Sequence, residues 1–136
     1  MPRPTNALIV DDEAHVRLFA KLLLKQHGIE QTWEAANGQE ALAMVRQHNP
    51  ELVILDISLP ILSGLEVLAT LRQERRRQPV IMLTAQSSIG TVLECVNLGA
   101  SAYILKHSPK GAAAKALADV LDGLAEASDG IEEPEA

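Results

Sequence analysis

Short apolar runs alternate with amphipathic segments along nearly the whole chain, and this regularity limits the possible folds more than any other feature. Four runs are apolar throughout and a fifth is more polar; they lie at residues 7–10, 52–55, 80–83, 103–105 and, for the polar one, 29–35. Runs that are apolar on both faces are typical of parallel strands that helices cover on each side. The alternation predicts a doubly wound α/β fold, in which a five-stranded parallel sheet is flanked by five helices.

The segments between the runs carry the signals of helices. Two pairs with the spacing of capping boxes, Asn37 with Glu40 and Ser63 with Glu66, predict where the second and third helices begin. Apolar residues at i, i+3, i+4 and i+7 share one helix face, so we expect them to pack on the sheet. In the first and fourth helices these residues are Val16, Phe19, Ala20 and Leu23, and Val92, Cys95, Val96 and Gly99.

The composition excludes several classes of protein. The 136 residues suffice for one ordinary domain, and the net charge of −6 disfavours binding to the phosphate backbone of nucleic acids. One Phe, one Trp and one Tyr are too few for a surface that stacks bases. The single cysteine, Cys95, excludes an internal disulfide and is typical of a reducing compartment. With no signal-peptide pattern and no membrane-spanning stretch, we expect a soluble cytoplasmic domain that binds neither nucleic acid nor membrane.

The chain changes character near residue 127. Residues 1–126 hold the alternating pattern, and we predict that they form the domain. Residues 127–136 have no periodicity and carry four acids, so we predict a disordered acidic tail or the start of a linker. The domain would then either stand alone or form part of a longer protein.

Polar residues end four of the predicted strands, and a parallel sheet binds its ligands at that edge. The first run ends at Asp11 and Asp12, the run at 52–55 ends at Asp56, and the last two end at Thr84 and Lys106. Because the carboxyl ends of parallel strands meet at one edge, we expect these side chains to lie close together.

Three carboxylates crowded together repel one another and need a cation. A hard divalent ion such as Mg²⁺ prefers carboxylate and carbonyl oxygens. Beside such an ion, Asp56 could attack phosphorus, while Lys106 supplies a positive charge and Thr84 a hydroxyl donor. The alternative for Asp11 and Asp12 is structural, because carboxylates also stabilise the first turn of a helix.

Four motifs carry a resemblance to a known family: LIVDDE, LVILDISLPILSG, VIMLTA and GASAYILK. In this order they resemble the receiver domain of bacterial two-component response regulators, in particular the chemotaxis regulators. The resemblance implies a flavodoxin-like fold with strand order 2-1-3-4-5. It also implies that Asp56 is phosphorylated, and that Mg²⁺ is held by Asp11, Asp12, Asp56 and the backbone carbonyl of Ser58.

The same resemblance implies a phosphoacceptor regulator that assists its own phosphotransfer and dephosphorylation, not an enzyme. A sensor histidine kinase or a phosphotransfer protein would donate the phosphoryl group. Lys106 would bind phosphate, Thr84 would be the switch hydroxyl and Tyr103 the switch aromatic. The fourth helix, fifth strand and fifth helix would then change and contact a downstream partner, a fused output domain or a second copy; they lie roughly at residues 88–98, 102–105 and 109–124.

The sequence departs from the family pattern at His107, where most relatives have proline, so the loop after Lys106 is expected to differ. Ser58 and Gln86 occupy positions that vary in the family and are thought to tune the lifetime of the phosphoryl group.

The alternative function is an aspartate-nucleophile phosphatase or phosphotransferase of the haloacid-dehalogenase type. That family requires a second acid two residues after the nucleophile, whereas Ser58 follows Asp56 at this distance and Glu13 follows Asp11. It also requires a cap domain, which 136 residues do not accommodate.

Overall fold

The structure is a computed structural model, and it describes residues 4–85, 89–106 and 111–130. Five strands alternate with five helices along these residues. The strands are β1 (Asn6–Val10), β2 (Gln31–Ala35), β3 (Val53–Asp56), β4 (Val80–Thr84) and β5 (Ala102–Leu105). The helices are α1 (Ala14–Gln26), α2 (Gly38–His48), α3 (Gly64–Gln73), α4 (Ile89–Asn97) and α5 (Ala112–Gly130).

The strands form one parallel sheet in the order β2-β1-β3-β4-β5, which confirms the predicted fold class. The chain runs from β1 outwards to β2 and then returns past β1 to β3. In a sheet of this kind a crevice opens where the order reverses, at the carboxyl ends of the strands. Val10 pairs with Leu55 there, so the residues that follow β1 and end β3 lie side by side.

Apolar side chains pack on both faces of the sheet. One face joins Leu8, Val53 and Met82 to α2, α3 and α4, and the other joins their neighbours in the strands to α1 and α5. Successive strand residues point to opposite faces, so a strand covered on both sides must be apolar at every position. This explains why the runs that predict β1, β3 and β4 show no polar alternation.

The predicted apolar faces of α1 and α4 are partly wrong. In α1, Ala20 and Leu24 are buried, whereas Phe19 is 45% exposed. In α4, Cys95 is buried, whereas Val96 is 61% exposed. The spacing of apolar residues shows which of them share a stripe, but the stripe that meets the sheet depends on how the helix is rotated against it.

The capping predictions hold to different extents. Ser63 and Glu66 form a complete capping box, in which each side chain accepts a hydrogen bond from the other residue's backbone N–H. The Asn37 side chain caps α2 by accepting from the Glu40 N–H at 2.8 Å. The Glu40 side chain instead accepts from the Ala36 N–H, so this second box is only half formed.

Helix α5 extends to Gly130, beyond the domain end expected at residue 126. Residues 127–130 are therefore helical, which corrects the expectation of an irregular tail at these positions. The predicted cap at Ser108 and Pro109, and residues 131–136, lie outside the described residues. Among the helices of the described ranges, none combines the length and the apolar character that a membrane crossing requires.

Candidate functional site

The carboxyl edge of the sheet brings together the polar residues predicted to meet there. Asp56 ends β3 and Thr84 ends β4, while Asp11 and Lys106 directly follow β1 and β5. Asp56 pairs with Leu83 in the sheet, so Thr84 is the next residue along the neighbouring strand. The Lys106 N–H donates to the Thr84 carbonyl at 2.7 Å, which fixes the lysine backbone at this edge.

Most of these residues are deeply buried although they are charged or polar. Asp11, Asp56 and Thr84 are 0%, 2% and 0% exposed, whereas Asp12 is exposed. Burying a carboxylate costs free energy unless a charge or a hydrogen bond compensates for it. The site therefore needs compensating groups, and one lysine supplies the positive charge among them.

Lys106 lies at the centre of the acidic cluster. Its Nζ is 2.9 Å from Asp11 Oδ2, 3.2 Å from Asp56 Oδ2 and 3.3 Å from Glu13 Oε1. The side chain is 8% exposed, so these ion pairs form largely away from solvent. One buried ammonium thus contacts carboxylates from β3 and from the loop between β1 and α1.

The pKa values of Asp56 and Lys106 are both raised, which disfavours the charged form of the acid and favours that of the lysine. Burial, and then the negative charge of Asp11, raise the pKa of the Asp56 carboxyl, and the contacts with Lys106 only partly oppose this. Burial disfavours the charged form of Lys106, yet its contacts with Asp11 and Asp56 outweigh this and raise its pKa. The lysine is therefore held as a cation, and the site still carries excess negative charge.

The arrangement fits a hard divalent cation. Carboxylate oxygens of Asp11, Asp12 and Asp56 all lie within 4.8 Å of one another. Asp11 Oδ2 is buried and receives no hydrogen bond among the described residues, because its contact with Lys106 is an ion pair without hydrogen-bond geometry. A buried oxygen with a free lone pair beside two further carboxylates is a suitable ligand set for Mg²⁺.

The structural alternative for the acid pair does not account for this cluster. Glu13 is the N-cap of α1, and its side chain makes no capping hydrogen bond. The Glu13 N–H donates to Asp11 Oδ1 at 2.9 Å, so one oxygen of Asp11 stabilises the turn before the helix. The second oxygen of Asp11 and the exposed Asp12 have no part in that cap.

The loop after β3 is shaped by close packing around Asp56. The Ser58 N–H donates to Asp56 Oδ1 at 3.2 Å, which orients the carboxylate. A Cβ atom at Gly64 would lie 2.1 Å from the carbonyl oxygen of Asp56, so only glycine lets α3 begin this close to the strand. Ser58 is exposed and lies next to Asp56 through this hydrogen bond, and the role of its carbonyl as a Mg²⁺ ligand stays a prediction from the family resemblance.

Tyr103 lies below the edge. It pairs with Met82 on β4, two residues before Thr84, and the alternation of side chains places Tyr103 and Thr84 on the same face of the sheet. The ring is half-buried against the core under α2, α3 and α4. Burial, and then the neighbouring Cys95, raise the pKa of its hydroxyl. The two residues predicted to act together thus share a face but sit at different heights.

Sequence reasoning missed two residues of the site. The sequence pattern gives Glu13 no role in the site, yet Glu13 pairs with Lys106 from 93 positions away. It gives Arg17 none either, although the Arg17 guanidinium donates to the Asp11 carbonyl at 2.7 Å and pairs with Glu34 at 2.9 Å. The available signal is position, because Arg17 lies one helical turn after Glu13. The predicted His107 and Gln86 lie outside the described residues.

Comparison with known proteins places the chain in a family. The family described as "Response regulator receiver domain" matches residues 7–118. A putative transcriptional regulator of Pseudomonas aeruginosa is 38% identical over 103 residues, which cover 76% of this chain and 50% of that protein. The chemotaxis protein CheY of Bacillus subtilis is 34% identical over 99 residues, covering 73% of this chain and 82% of CheY. The chain thus spans half the length of the first relative and most of the second.

A similar solved structure carries the same architecture. It is the CheX–CheY–BeF₃–Mg²⁺ complex of Borrelia burgdorferi, which aligns with a TM-score of 0.79 and 29% sequence identity. The alignment covers 90% of this chain and 90% of the matched chain.

Proposed function

The chain belongs to the response regulator receiver domain family, and we propose that it is a signalling switch whose phosphoacceptor is Asp56. The observation that carries this proposal is the contact of Lys106 Nζ with Asp11 at 2.9 Å and Asp56 at 3.2 Å, inside a cluster of three carboxylates. A buried carboxylate beside a fixed cation is a nucleophile with its charge stabilisation already in place.

The transfer is a displacement at phosphorus. An oxygen of the Asp56 carboxylate forms a bond to phosphorus, and the bond between phosphorus and the donor breaks, with its electron pair leaving on the donor. With a phosphorylated histidine the broken bond is P–N, and with acetyl phosphate it is P–O. Lys106 stays charged throughout and stabilises negative charge on the phosphoryl oxygens, while the Ser58 N–H orients the carboxylate.

Asp11, Asp12 and Asp56, with the carbonyl of Ser58, would hold Mg²⁺ at this site. When bound, Mg²⁺ neutralises charge on the transferring phosphoryl group. Asp11 contributes its buried oxygen, and Arg17 holds the Asp11 backbone by donating to its carbonyl. Hydrolysis by water of the resulting acyl phosphate would reset the switch.

The test is phosphorylation without a kinase. With acetyl phosphate and Mg²⁺, intact-mass measurement should show one added phosphoryl group on the wild-type chain. Asp56→Asn should show none, because its amide is not a nucleophile towards phosphorus. Asp119→Asn, which removes an exposed acid of α5, is the matched control and should be phosphorylated like the wild type. A phosphoryl group that persists in Asp56→Asn, or that forms on a histidine, would overturn the assignment.

The conformational change that follows phosphorylation begins at Thr84 and reaches Tyr103. Once Asp56 carries a phosphoryl group, the hydroxyl of the buried Thr84 can donate to one of its oxygens and draw the end of β4 inwards. Tyr103, on the same sheet face, then turns into the vacated space. Packed elements of this kind prefer two discrete arrangements to continuous bending. The phosphoryl group shifts that equilibrium only through its different interaction with the two states.

The responding surface is α4, β5 and α5. Leu93 and Val96 of α4 and Leu105 of β5 are large apolar side chains that remain exposed. Clustered exposed apolar residues mark sites of protein contact. This surface would bind a downstream protein, a fused output domain or a second copy of the chain. A beryllium fluoride complex should shift its amide signals in nuclear magnetic resonance spectra, and Thr84→Ala should lose those shifts while the shifts at the metal site remain.

The phosphodonor would approach along α1. Leu18, Phe19 and Leu22 are exposed on this helix, which begins directly after Asp11, Asp12 and Glu13. An apolar patch beside the acidic edge suits a helical histidine kinase or phosphotransfer protein that must bring its phosphohistidine to Asp56. Leu18→Ser with Leu22→Ser should slow transfer from the protein donor and leave transfer from acetyl phosphate unchanged.

The haloacid-dehalogenase alternative receives no support from the similarities above. The residue two positions after Asp56 is Ser58, which is not an acid. The described residues form one sheet with its flanking helices, and the family match spans that same sheet. We therefore propose a regulator, in which the phosphorylated state is the signal.

A further inference from the structure

A cleft of about 690 Å³ opens at the opposite edge of the sheet, where the strands begin. Its walls include three prolines, Pro4, Pro50 and Pro79, and the arginine run that follows α3. The acids Glu51 and Glu74 and Leu124 of α5 also line it. This cleft lies at the other end of the strands from the acidic edge, so it belongs to no part of the phosphoacceptor site.

The cleft carries positive charge that its own residues do not balance. Two acids line the cleft beside the three arginines: Glu74 is already paired with Arg46 and Arg76, and the Glu51 side chain accepts hydrogen bonds from Thr5, so the arginines remain in excess. The side chains of Arg75 and Arg77 make no hydrogen bond or ion pair within the part of the chain that the structure describes, and both residues are exposed. Burial and the nearby charge of Arg77 lower the pKa of Arg72, as expected where positive charges crowd together.

The backbone presents one of these arginines to the cleft in a costly conformation. Arg75 has φ 63°, in the left-handed region that residues with a side chain adopt rarely. This turn ends α3 and leads into the segment Arg76–Pro79 along the cleft. The turn therefore leaves the side chains of Arg75 and Arg77 exposed at the cleft.

The chain itself supplies an acidic segment at this place. Helix α5 runs towards the edge where the strands begin, and Leu124 reaches the cleft. Six further helical residues project about 9 Å beyond it. Residues 131–136, IEEPEA, follow with three acids and could span about 20 Å if extended. This span is longer than the projection of α5 beyond Leu124, which itself lines the cleft with the arginines, so the segment can fold back to the cleft.

We propose that residues 131–136 bind in this cleft, with Glu132, Glu133 and Glu135 opposite Arg75 and Arg77. Ile131 and Pro134 would lie against the proline walls, so the segment matches the cleft in both charge and apolar character. The segment that leaves the domain would then be held at the edge opposite Asp56, through contacts that salt weakens.

The test measures the position of the segment in the full chain. Ala136→Cys carries a nitroxide label, and Cys95 is buried, so the label is directed to one site. Broadening of the amide signals of residues 75–78 reports its approach. Arg75→Gln with Arg77→Gln removes the proposed partners. Lys21→Gln with Lys115→Gln is the matched control, since it removes the same number of charges from exposed positions elsewhere.

We expect the broadening to fall at least twofold in the arginine variant and in about 0.5 M salt, which screens exposed charges. The lysine variant should keep the wild-type broadening. Equal broadening in the arginine and lysine variants would overturn the proposal, because the label would then be near the cleft only through its attachment to α5. Broadening of unlabelled chains by labelled ones would assign the cleft to a second copy and would equally overturn it.

Discussion

The two edges of the sheet carry charge in opposite ways. At the carboxyl edge, Asp11 and Asp56 are buried together, and the single ammonium of Lys106 leaves the cluster negative. At the other edge, Glu74 pairs with Arg46 and Arg76 where water has access. Charge pairs in solvent contribute little to stability, whereas removing one partner of a buried pair is costly. Burial, more than the number of charges, therefore distinguishes the edge that we propose to be reactive from the other edge.

The largest expected effect comes from removing the lysine of the buried edge. Lys106→Met leaves two buried carboxylates without their cation, so we expect the free energy of unfolding to fall by about 3 kcal/mol at neutral pH. Arg46→Met at the opposite edge removes one partner of an exposed pair and should cost far less. Urea unfolding of the two variants checks the comparison. Equal losses would show that burial does not separate the edges.

Magnesium should stabilise the protein through the carboxyl edge alone. At a free concentration 100 times Kd, a ligand that binds only the folded state adds about 2.7 kcal/mol. The thermal midpoint should therefore rise with Mg²⁺ and return when a chelator removes it. Asp12→Asn removes an exposed member of the cluster and should weaken Mg²⁺ binding, while Glu74→Gln should leave the affinity unchanged. An unchanged affinity for Mg²⁺ in Asp12→Asn would contradict the assignment of the metal site.

Asp56 should destabilise the metal-free protein. Its pKa is raised above the ordinary value of 3.8 by burial and by Asp11, so the folded state disfavours the charged carboxylate. The stability contributed by the neutral form is complete below pH 3.8 and is lost as the pH rises through the raised folded pKa. Asp56→Asn should therefore be more stable than the wild type at neutral pH in a chelator, with the gain shrinking in acid. A destabilised variant at neutral pH would contradict this reasoning.

The site was easier to predict from the sequence than the helix faces were. Asp56 ends a strand, Asp11 and Lys106 directly follow one, and parallel strands end at one edge, so strand positions alone bring them together. The exposure of Phe19 and Val96 depends on helix rotation, which spacing leaves open. The pairing of Glu13 with Lys106 joins residues 93 positions apart, and its geometry exists only once α1 is docked.

The smallest expected effect lies at the exposed edge and has the opposite dependence on pH. Hydrogen bonds from Arg46 and Arg76 lower the pKa of Glu74 from 4.5 to about 2. A lowered pKa means that the charged form stabilises the fold above pH 4.5, and that this contribution is lost as the pH falls through about 2. Glu74→Gln should thus be slightly less stable than the wild type at neutral pH, and the difference should vanish in strong acid.

Because water reaches these side chains, about 0.5 M salt should also reduce the difference in stability between Glu74→Gln and the wild type, while the loss of stability in Lys106→Met should change little. Urea unfolding across pH and salt measures both responses, and a salt-insensitive loss in Glu74→Gln would remove the contrast between the two edges.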